Sequence, residues 1–225
     1  MNDLNRRACG GLLKMMVILS TLIFLPAWTV RYWQGWICLL VFFACAAGIT
    51  LDLMKRDPAL LERRMSAGAG AEKVKSQKII QVLSSVAFIS LFVVSALDHR
   101  FAWSRVPAAG AAGGDLLIVL GFAFVFRVFR VNSFTSRIIE VTADQKVVST
   151  GPYGLVRHPM YLGALILLIG IPMALGSWWG EVAIVPMILV LAWRLVDEER
   201  FLVRKLPGYD EYRHKVRYRL APFVW

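Results

Sequence analysis

The chain has 225 residues, of which 58% are hydrophobic and 18% are charged, and its mean hydropathy is +0.60. Soluble domains contain about 45 to 50% apolar and about 25% charged residues, so this composition excludes an ordinary soluble domain. It also excludes a disordered chain, because such chains lack the apolar residues that offset the entropy of ordering. We therefore expect an integral membrane protein.

Six apolar runs are bounded by charged or turn residues. A hydrocarbon core of about 30 Å takes about 20 helical residues, and the runs are 12 to 30, 33 to 54, 79 to 97, 114 to 131, about 160 to 175 and about 181 to 196. The last two are shorter and flank residues 176 to 180, whose Gly-Ser-Trp-Trp-Gly sequence predicts a tight turn with interfacial tryptophans. We therefore predict the all-α fold class, in an integral membrane protein with about six transmembrane helices.

The basic residues are distributed unevenly over the loops of this arrangement. Only Arg31, Arg100 and Arg105, of 26 lysines and arginines, fall on the side opposite the termini. The positive-inside rule then places both termini in the cytoplasm. The net charge of +11 is therefore a topology signal, and we expect no nucleic-acid partner.

Two cytoplasmic segments are longer than connectors need to be. Residues 55 to 78 include an amphipathic stretch, 57 to 64, which is expected either to lie in the headgroup plane or to form a solvated basic loop. In residues 132 to 158, two short β-prone runs at 138 to 142 and 147 to 150 predict a small hairpin. We divide the chain into a four-helix transmembrane region, 1 to 131, and a catalytic region, 132 to 225.

Metal binding is not expected. The three cysteines are odd in number and lack CxxC spacing, so they are interpreted as packing thiols. The histidines His99, His158 and His214 lie on three different segments, which argues against a shared metal site.

The densest group of unusual residues runs from Gly151 to Gly163. His158 precedes a proline, and Pro159 suits the first position of a helix, so a helix is predicted to begin near 159. Its N-terminus, with Arg157 and His158 beside it, could hold an anionic group, and Gly163 would allow a close approach. The alternative is an interfacial helix cap with a snorkelling arginine.

A second group lies at the end of the last apolar run. Asp197, Glu198 and Glu199 point about 100° apart on a helix and oppose its macrodipole, so other groups must stabilise them. Arg194 lies four residues before Glu198, on the same face. Either this pair is functional or it is an ion pair that anchors the helix.

The tail, residues 206 to 225, mixes basic and aromatic residues. This composition predicts a C-terminal amphipathic segment at the level of the lipid headgroups.

These groups follow one another in a recognisable order. The motifs are Gly-Pro-Tyr at 151 to 153, Arg-His-Pro-x-Tyr-x-Gly at 157 to 163, an apolar hairpin, Glu-Glu-x-x-Leu at 198 to 202, Gly-x-x-x-Tyr at 208 to 212 and Arg-x-x-Pro at 219 to 222. The order resembles the isoprenylcysteine carboxyl methyltransferase family of membrane enzymes. The resemblance covers residues 132 to 225 closely, and the earlier residues only as helices plus the stretch 57 to 61.

The resemblance implies a cofactor, partners and site residues. S-adenosylmethionine would be the methyl donor, the acceptor would be a lipophilic small molecule or lipid-like substrate entering sideways, and membrane lipids would surround the protein. The candidate cofactor-binding residues are Val148, Gly151, Tyr153, Arg157, His158, Pro159, Tyr161, Leu162, Gly163 and Glu199. Arg194 and Glu198 fall on the pair that orients the acceptor in eukaryotic members, so they are the candidate catalytic residues.

One departure from the family pattern concerns the acceptor. Leu206-Pro207-Gly208 contains one residue more than the Phe-Gly of eukaryotic members, a form associated with bacterial relatives. This implies a bacterial inner membrane, with the active site on the cytoplasmic side, and leaves open a carboxylate, amine, phenol or thiol acceptor.

Two other classes of function remain as alternatives. An NADPH-dependent reductase of the sterol reductase type resembles the tail motifs, although such proteins usually have more spans. In a non-enzymatic membrane partner, Arg194 and Glu198 would close on each other without a cavity.

Overall fold

A computed structural model describes residues 3 to 65, 75 to 134 and 147 to 225, and these residues contain helices but no β-strand. The helices are α1 (Asp3–Ala27), α2 (Trp33–Arg56), α3 (Pro58–Met65), α4 (Lys75–Phe101), α5 (Ala108–Val131), α6 (Pro159–Ala174), α7 (Trp178–Val182), α8 (Ile184–Lys205) and α9 (Tyr209–Lys215). A 3₁₀ turn, Gly151–Gly154, precedes α6.

Within the described residues, five stretches are long and apolar enough to cross a membrane: α1, α2, α4, α5 and the α7–α8 stretch, Trp178–Lys205. The protein is accordingly an integral membrane protein. The sixth predicted span, α6, has 16 residues and extends about 24 Å, which is less than a hydrocarbon core of about 30 Å. Five of the six predicted spans are therefore confirmed as helices long enough to cross a membrane, and the run at 160 to 175, predicted to be shorter, is the short apolar helix α6, whose role as a sixth span stays a prediction.

Contacts between their ends show that successive long helices run in opposite directions, so Asp3 and Trp225 lie at one end of the bundle. This end, where α6 begins and α8 ends, is called the site end, and the opposite end is called the far end. That the site end faces the cytoplasm stays a prediction from the distribution of basic residues.

The short helix α6 is held by α5, and these two form the most extensive helix pair. A Cβ on Gly114 would lie 2.2 Å from the backbone nitrogen of Ala174, and one on Gly121 would lie 2.6 Å from that of Leu167. Glycines let helix backbones approach closely, and such packing drives helix association in membranes. The position of α6 thus depends on glycines of α5.

We expect Gly114→Ala to lower the melting temperature in detergent, because the added methyl group would meet backbone atoms that move only if α5 and α6 separate. Overpacking of this kind costs about 1 to 3 kcal/mol. Gly113→Ala is the matched control, since a Cβ there meets no atom within 4 Å and alanine favours helix. Equal melting temperatures for the two variants would contradict this packing.

At the far end, a buried carboxylate of α4 joins the loop after α4 to the loop between α6 and α7. Asp98 accepts hydrogen bonds from the Ser104 amide at 2.7 Å and from the hydroxyls of Ser104 and Ser177 at 2.5 Å each. Ser177 also caps α7 by accepting from the Gly180 amide at 2.8 Å. The turn predicted at 176 to 180 is therefore shorter, since α7 already begins at Trp178.

The amphipathic stretch at 57 to 64 packs on the protein. Leu60 and Leu61, on α3, are buried in a cluster with Leu53 and Phe129. The Asp57 carboxylate begins the helix by accepting from the Leu60 amide at 2.9 Å. The segment is therefore a packed helix rather than a solvated loop, and its position in the headgroup plane stays a prediction.

Of the predicted hairpin, residues 138 to 142 and the turn after them lie outside the described residues. Residues 147 to 150 form irregular backbone rather than a strand. The prediction of a strand at 147 to 150 is therefore wrong.

The predicted amphipathic tail is divided into two parts. Tyr209, Tyr212 and Val216 are buried in one cluster, whereas Phe223 and Val224 are exposed. One part therefore packs on the protein and the other lies at its surface.

Candidate functional site

The C-terminal segment pairs with the residues that precede α6. The Arg157 amide donates to the Tyr218 carbonyl and the His158 amide to the Arg219 carbonyl, both at 2.9 Å. Pro159 is the first residue of α6, which confirms the predicted helix start. The amides of Tyr161 and Leu162 already donate to the His158 carbonyl. The polar groups of the site are therefore supplied by side chains more than by the N-terminus of α6.

Glu199 is the centre of a buried charge cluster. Its Oε1 lies 2.8 Å from Arg157 Nε and 3.3 Å from His158 Nε2, and its Oε2 accepts from Arg219 Nε at 2.9 Å. Glu199, Arg157 and His158 are all buried. One carboxylate of α8 thus holds the start of α6 and the C-terminal segment together, and we call these four residues the Glu199 cluster.

The candidate catalytic pair is bridged by a tyrosine of α6. Arg194 Nε donates to Tyr161 Oη at 2.9 Å, and Tyr161 Oη donates to Glu198 Oε2 at 2.5 Å. The resemblance implied a cofactor-binding role for Tyr161, but its hydroxyl contacts the pair implied for the acceptor. We call these three residues the Tyr161 bridge.

The third acid of α8 faces another helix. Asp197 accepts from the Ser76 hydroxyl at 3.1 Å and from the side-chain amide of Gln77, both on α4. Each of the three consecutive acids therefore has its own partners on a different element. The expectation that other groups stabilise them is confirmed.

Tyr153 joins the 3₁₀ turn to the end of α5 and to α9. Its hydroxyl accepts from the Asn132 side-chain amide at 2.9 Å, and its carbonyl accepts from the Tyr212 hydroxyl at 2.7 Å. Burial raises the pKa of Tyr153 to about 12; the Asn132 hydrogen bond opposes this, nearby Glu198 adds to it and Arg64 opposes it. At neutral pH this phenol therefore keeps its proton.

Tyr209 carries a buried polar group that the sequence analysis did not select. Its hydroxyl has no hydrogen-bond partner among the described residues. Burial raises its pKa well above the usual range, and nearby Glu199 and Glu198 add to this, so the hydroxyl is a proton donor. The only signal in the sequence was that Tyr209 lies inside the Gly-x-x-x-Tyr motif, between Gly208 and Tyr212. Gly208, at φ 79°, turns the chain into α9.

Arg219 was also missed as a site residue, although it opens the closing Arg-x-x-Pro motif. Its position twenty residues after Glu199 gave no sign that the two side chains meet. The tail folds back so that Arg219 reaches Glu199, and no local sequence pattern indicates this contact.

Two candidate glycines serve packing. A Cβ on Gly163 would lie 2.9 Å from Val125 Cγ2, so the close approach that this glycine permits is that of α5. Gly151 has φ 59°, and a Cβ there would lie 3.2 Å from Val131 Cγ2. Both glycines help to set the start of α6 against α5.

Two further candidate residues, Val148 and Leu162, are apolar. Val148 is half-buried in the irregular segment, and its neighbour Val147 packs against the buried tyrosines of α9. Leu162 is half-buried on α6. A cofactor-lining role for either residue stays a prediction.

The family comparison matches the part of the chain that carries these clusters. Residues 110–207, just under half of the chain, match the sequence model of the phospholipid methyltransferase family, which includes the isoprenylcysteine carboxyl methyltransferases. A comparison with curated proteins finds no match. The resemblance seen in the sequence is confirmed at this level: the segment that holds the Tyr161 bridge and Glu199 matches the model of the phospholipid methyltransferase family.

Proposed function

We propose that the protein is an S-adenosylmethionine-dependent methyltransferase that acts on a lipophilic acceptor. The observation that carries the proposal is the junction of the two clusters, because the consecutive residues Glu198 and Glu199 belong one to the Tyr161 bridge and one to the Glu199 cluster. A site for an acceptor therefore lies directly beside a site for a polar cofactor. We place this site at the cytoplasmic face of a bacterial inner membrane.

The polar groups fit the cofactor. The Tyr209 hydroxyl is a buried donor without a partner among the described residues, so it suits an acceptor atom of a bound nucleoside or amino acid. Arg157 supplies positive charge for a carboxylate, with the His158 ring beside it. Glu199 holds these two side chains in place. When bound, S-adenosylmethionine would supply an electrophilic methyl group on a sulfonium.

On the acceptor side, the Tyr161 bridge fixes the orientation of Arg194. A guanidinium suits an acceptor carboxylate because it pairs with both oxygens. Methyl transfer from a sulfonium mainly requires alignment of the two reactants in a dry site. The surface beside Arg194 supports entry from the bilayer, since Trp193 and Leu189 of α8 are exposed.

The test is to titrate S-adenosylmethionine, its demethylated product and NADPH separately against the purified protein in detergent. A ligand that binds only the folded state stabilises it by about 2.7 kcal/mol at a hundredfold excess over its Kd. We expect the first two compounds to raise the melting temperature and NADPH not to. A shift with NADPH alone would contradict the proposed function and favour a reductase.

A further inference from the structure

A groove opens at the far end, beside the loop that joins α1 to α2. Its volume is about 470 Å³, which lies within the range of about 300 to 1,000 Å³ that ligand sites occupy. The residues that line it are Phe24, Leu25, Trp28, Thr29, Val30 and Arg31. The groove and the Tyr161 bridge lie at opposite ends of the bundle, so the proposed function assigns the groove no role.

The walls of the groove are held by aromatic side chains. The ring centroids of Phe24 and Trp36 are 4.5 Å apart, and Trp36 Nε1 donates to the Val30 carbonyl at 2.9 Å. The Arg100 guanidinium carbon lies 5.3 Å from the centroid of the Trp28 ring, which is a cation–π contact. These contacts join α1, α2 and α4, so the shape of the groove depends on three helices and not on the loop alone.

Two of the residues that line the groove can donate hydrogen bonds to a ligand. The Arg31 side chain is exposed and forms no hydrogen bond or ion pair with the described residues. The Thr29 hydroxyl accepts from the Arg31 amide at 3.0 Å, so its own proton can be donated to a ligand. None of the described residues that line the groove is acidic. The groove therefore complements a negatively charged group and offers no carboxylate to an ammonium group.

The position of the groove indicates a lipid as its occupant. Trp28, Trp103 and Trp179 are exposed at this end of the bundle, and exposed tryptophans of membrane proteins are enriched at the level of the lipid head groups. Leu25, which lines the groove, and Ile18, two turns earlier on the same face of α1, are exposed apolar side chains. A lipid with its phosphate in the groove can therefore lay an acyl chain along α1.

We propose that the groove binds the head group of an anionic phospholipid from the leaflet at the far end. Arg31 and Thr29 donate to the phosphate, and Arg100 is a positioning residue that holds the Trp28 ring. Only Arg31, Arg100 and Arg105 lie on this side in the predicted topology, and two of these three line the groove or hold its wall. The inference does not depend on the proposed function, because this lipid is not the methyl acceptor.

The test is photo-crosslinking in mixed micelles with a phosphatidylglycerol that carries a diazirine on one acyl chain. We expect cross-links on residues 24 to 31, located by mass spectrometry of the digested protein. Unlabelled phosphatidylglycerol should compete, and phosphatidylcholine should compete less well, because its ammonium group meets no carboxylate. Inorganic phosphate should not compete, because it lacks acyl chains. Competition by inorganic phosphate at equal concentration would assign the groove to a soluble anion and overturn the proposal.

Three variants make the test specific to the groove. Arg31→Gln should reduce cross-linking of residues 24 to 31 about tenfold or more, the effect of losing a hydrogen bond to a charged group. Arg31→Lys keeps the charge but loses the planar fork, so it should retain part of the labelling, and it replaces Arg31→Gln if that variant does not fold. Arg105→Gln is the matched control, because Arg105 is an exposed arginine of the same end that does not line the groove.

The variants separate a specific site from a general attraction of charge. An equal loss of labelling in Arg31→Gln and Arg105→Gln would show that the lipid responds only to the net charge of the far end, and the proposal would fail. Wild-type labelling in Arg31→Gln would also overturn it, as would equal competition by phosphatidylglycerol and phosphatidylcholine. Melting temperatures in detergent show whether each variant is folded.

Discussion

Arg194→Ala should lower kcat by about 10² to 10³, the usual effect of removing one positioned donor from an active site, while the affinity for S-adenosylmethionine stays near that of the wild type. The reason is that Arg194 donates to Tyr161 of the bridge, whereas the proposed cofactor-binding groups belong to the Glu199 cluster. Arg194→Lys should restore little activity, because an ammonium lacks the planar fork. Turnover and cofactor titration on purified variants measure both effects.

Companion variants distinguish this role from that of a helix anchor. Tyr161→Phe removes only the bridging hydroxyl and should also reduce kcat, since Arg194 loses the group that orients it. Arg200→Ala is the control, because Arg200 is an exposed arginine on the same helix. If Arg194 merely anchored α8, Arg194→Ala and Glu198→Ala would both lower the melting temperature, and activity would fall only with the folded fraction. A stable, fully active Arg194→Ala protein would defeat the assignment.

Glu199→Ala should cause the largest loss of stability among the site variants. It would leave Arg157 and His158 buried without their shared carboxylate, and breaking a buried ion pair costs about 3 to 5 kcal/mol. The affinity for S-adenosylmethionine should fall as well, since these two side chains would lose their positions. Thermal unfolding and cofactor titration in detergent measure the two effects separately.

Two controls relate this result to its cause. Glu62→Ala removes an exposed carboxylate, paired with Arg7 at 3.2 Å, and such pairs contribute about 0 to 1 kcal/mol. Arg219→Ala removes the side-chain link between Glu199 and the C-terminal segment and the contact of Arg219 with the Trp225 ring, so it should make that segment more susceptible to proteolysis without the full loss of stability. Wild-type stability and cofactor affinity in Glu199→Ala would show that the cluster has neither role.

Features that depend on neighbouring residues were predictable from the sequence. The start of α6 at Pro159 follows from the restriction that a proline places on His158, and the structure begins the helix there. The need of Asp197, Glu198 and Glu199 for separate partners follows from helix geometry and the macrodipole.

Features that depend on which surfaces meet were predicted less well. The run at 160 to 175 was predicted with nearly the bounds of α6, but its backbone contact with Gly114 and Gly121 of α5 was not, because apolar length does not specify the neighbour of a helix. For the stretch 57 to 64, the packing of Leu60 and Leu61 on neighbouring helices was not predicted, because an apolar face does not indicate which surface covers it.

The sequence is enough to predict a membrane protein, the positions of its long helices, and motifs in residues 151 to 222 that resemble those of a methyltransferase family. These properties follow from composition, apolar run length and motif order, each of which is local. Two contacts are visible only in the folded protein: Tyr161 lies between Arg194 and Glu198, and Glu199 pairs both with residues at the start of α6 and with the C-terminal segment. Pairs of this kind form where faces of distant elements meet, and neither spacing nor periodicity along the chain specifies which faces those are.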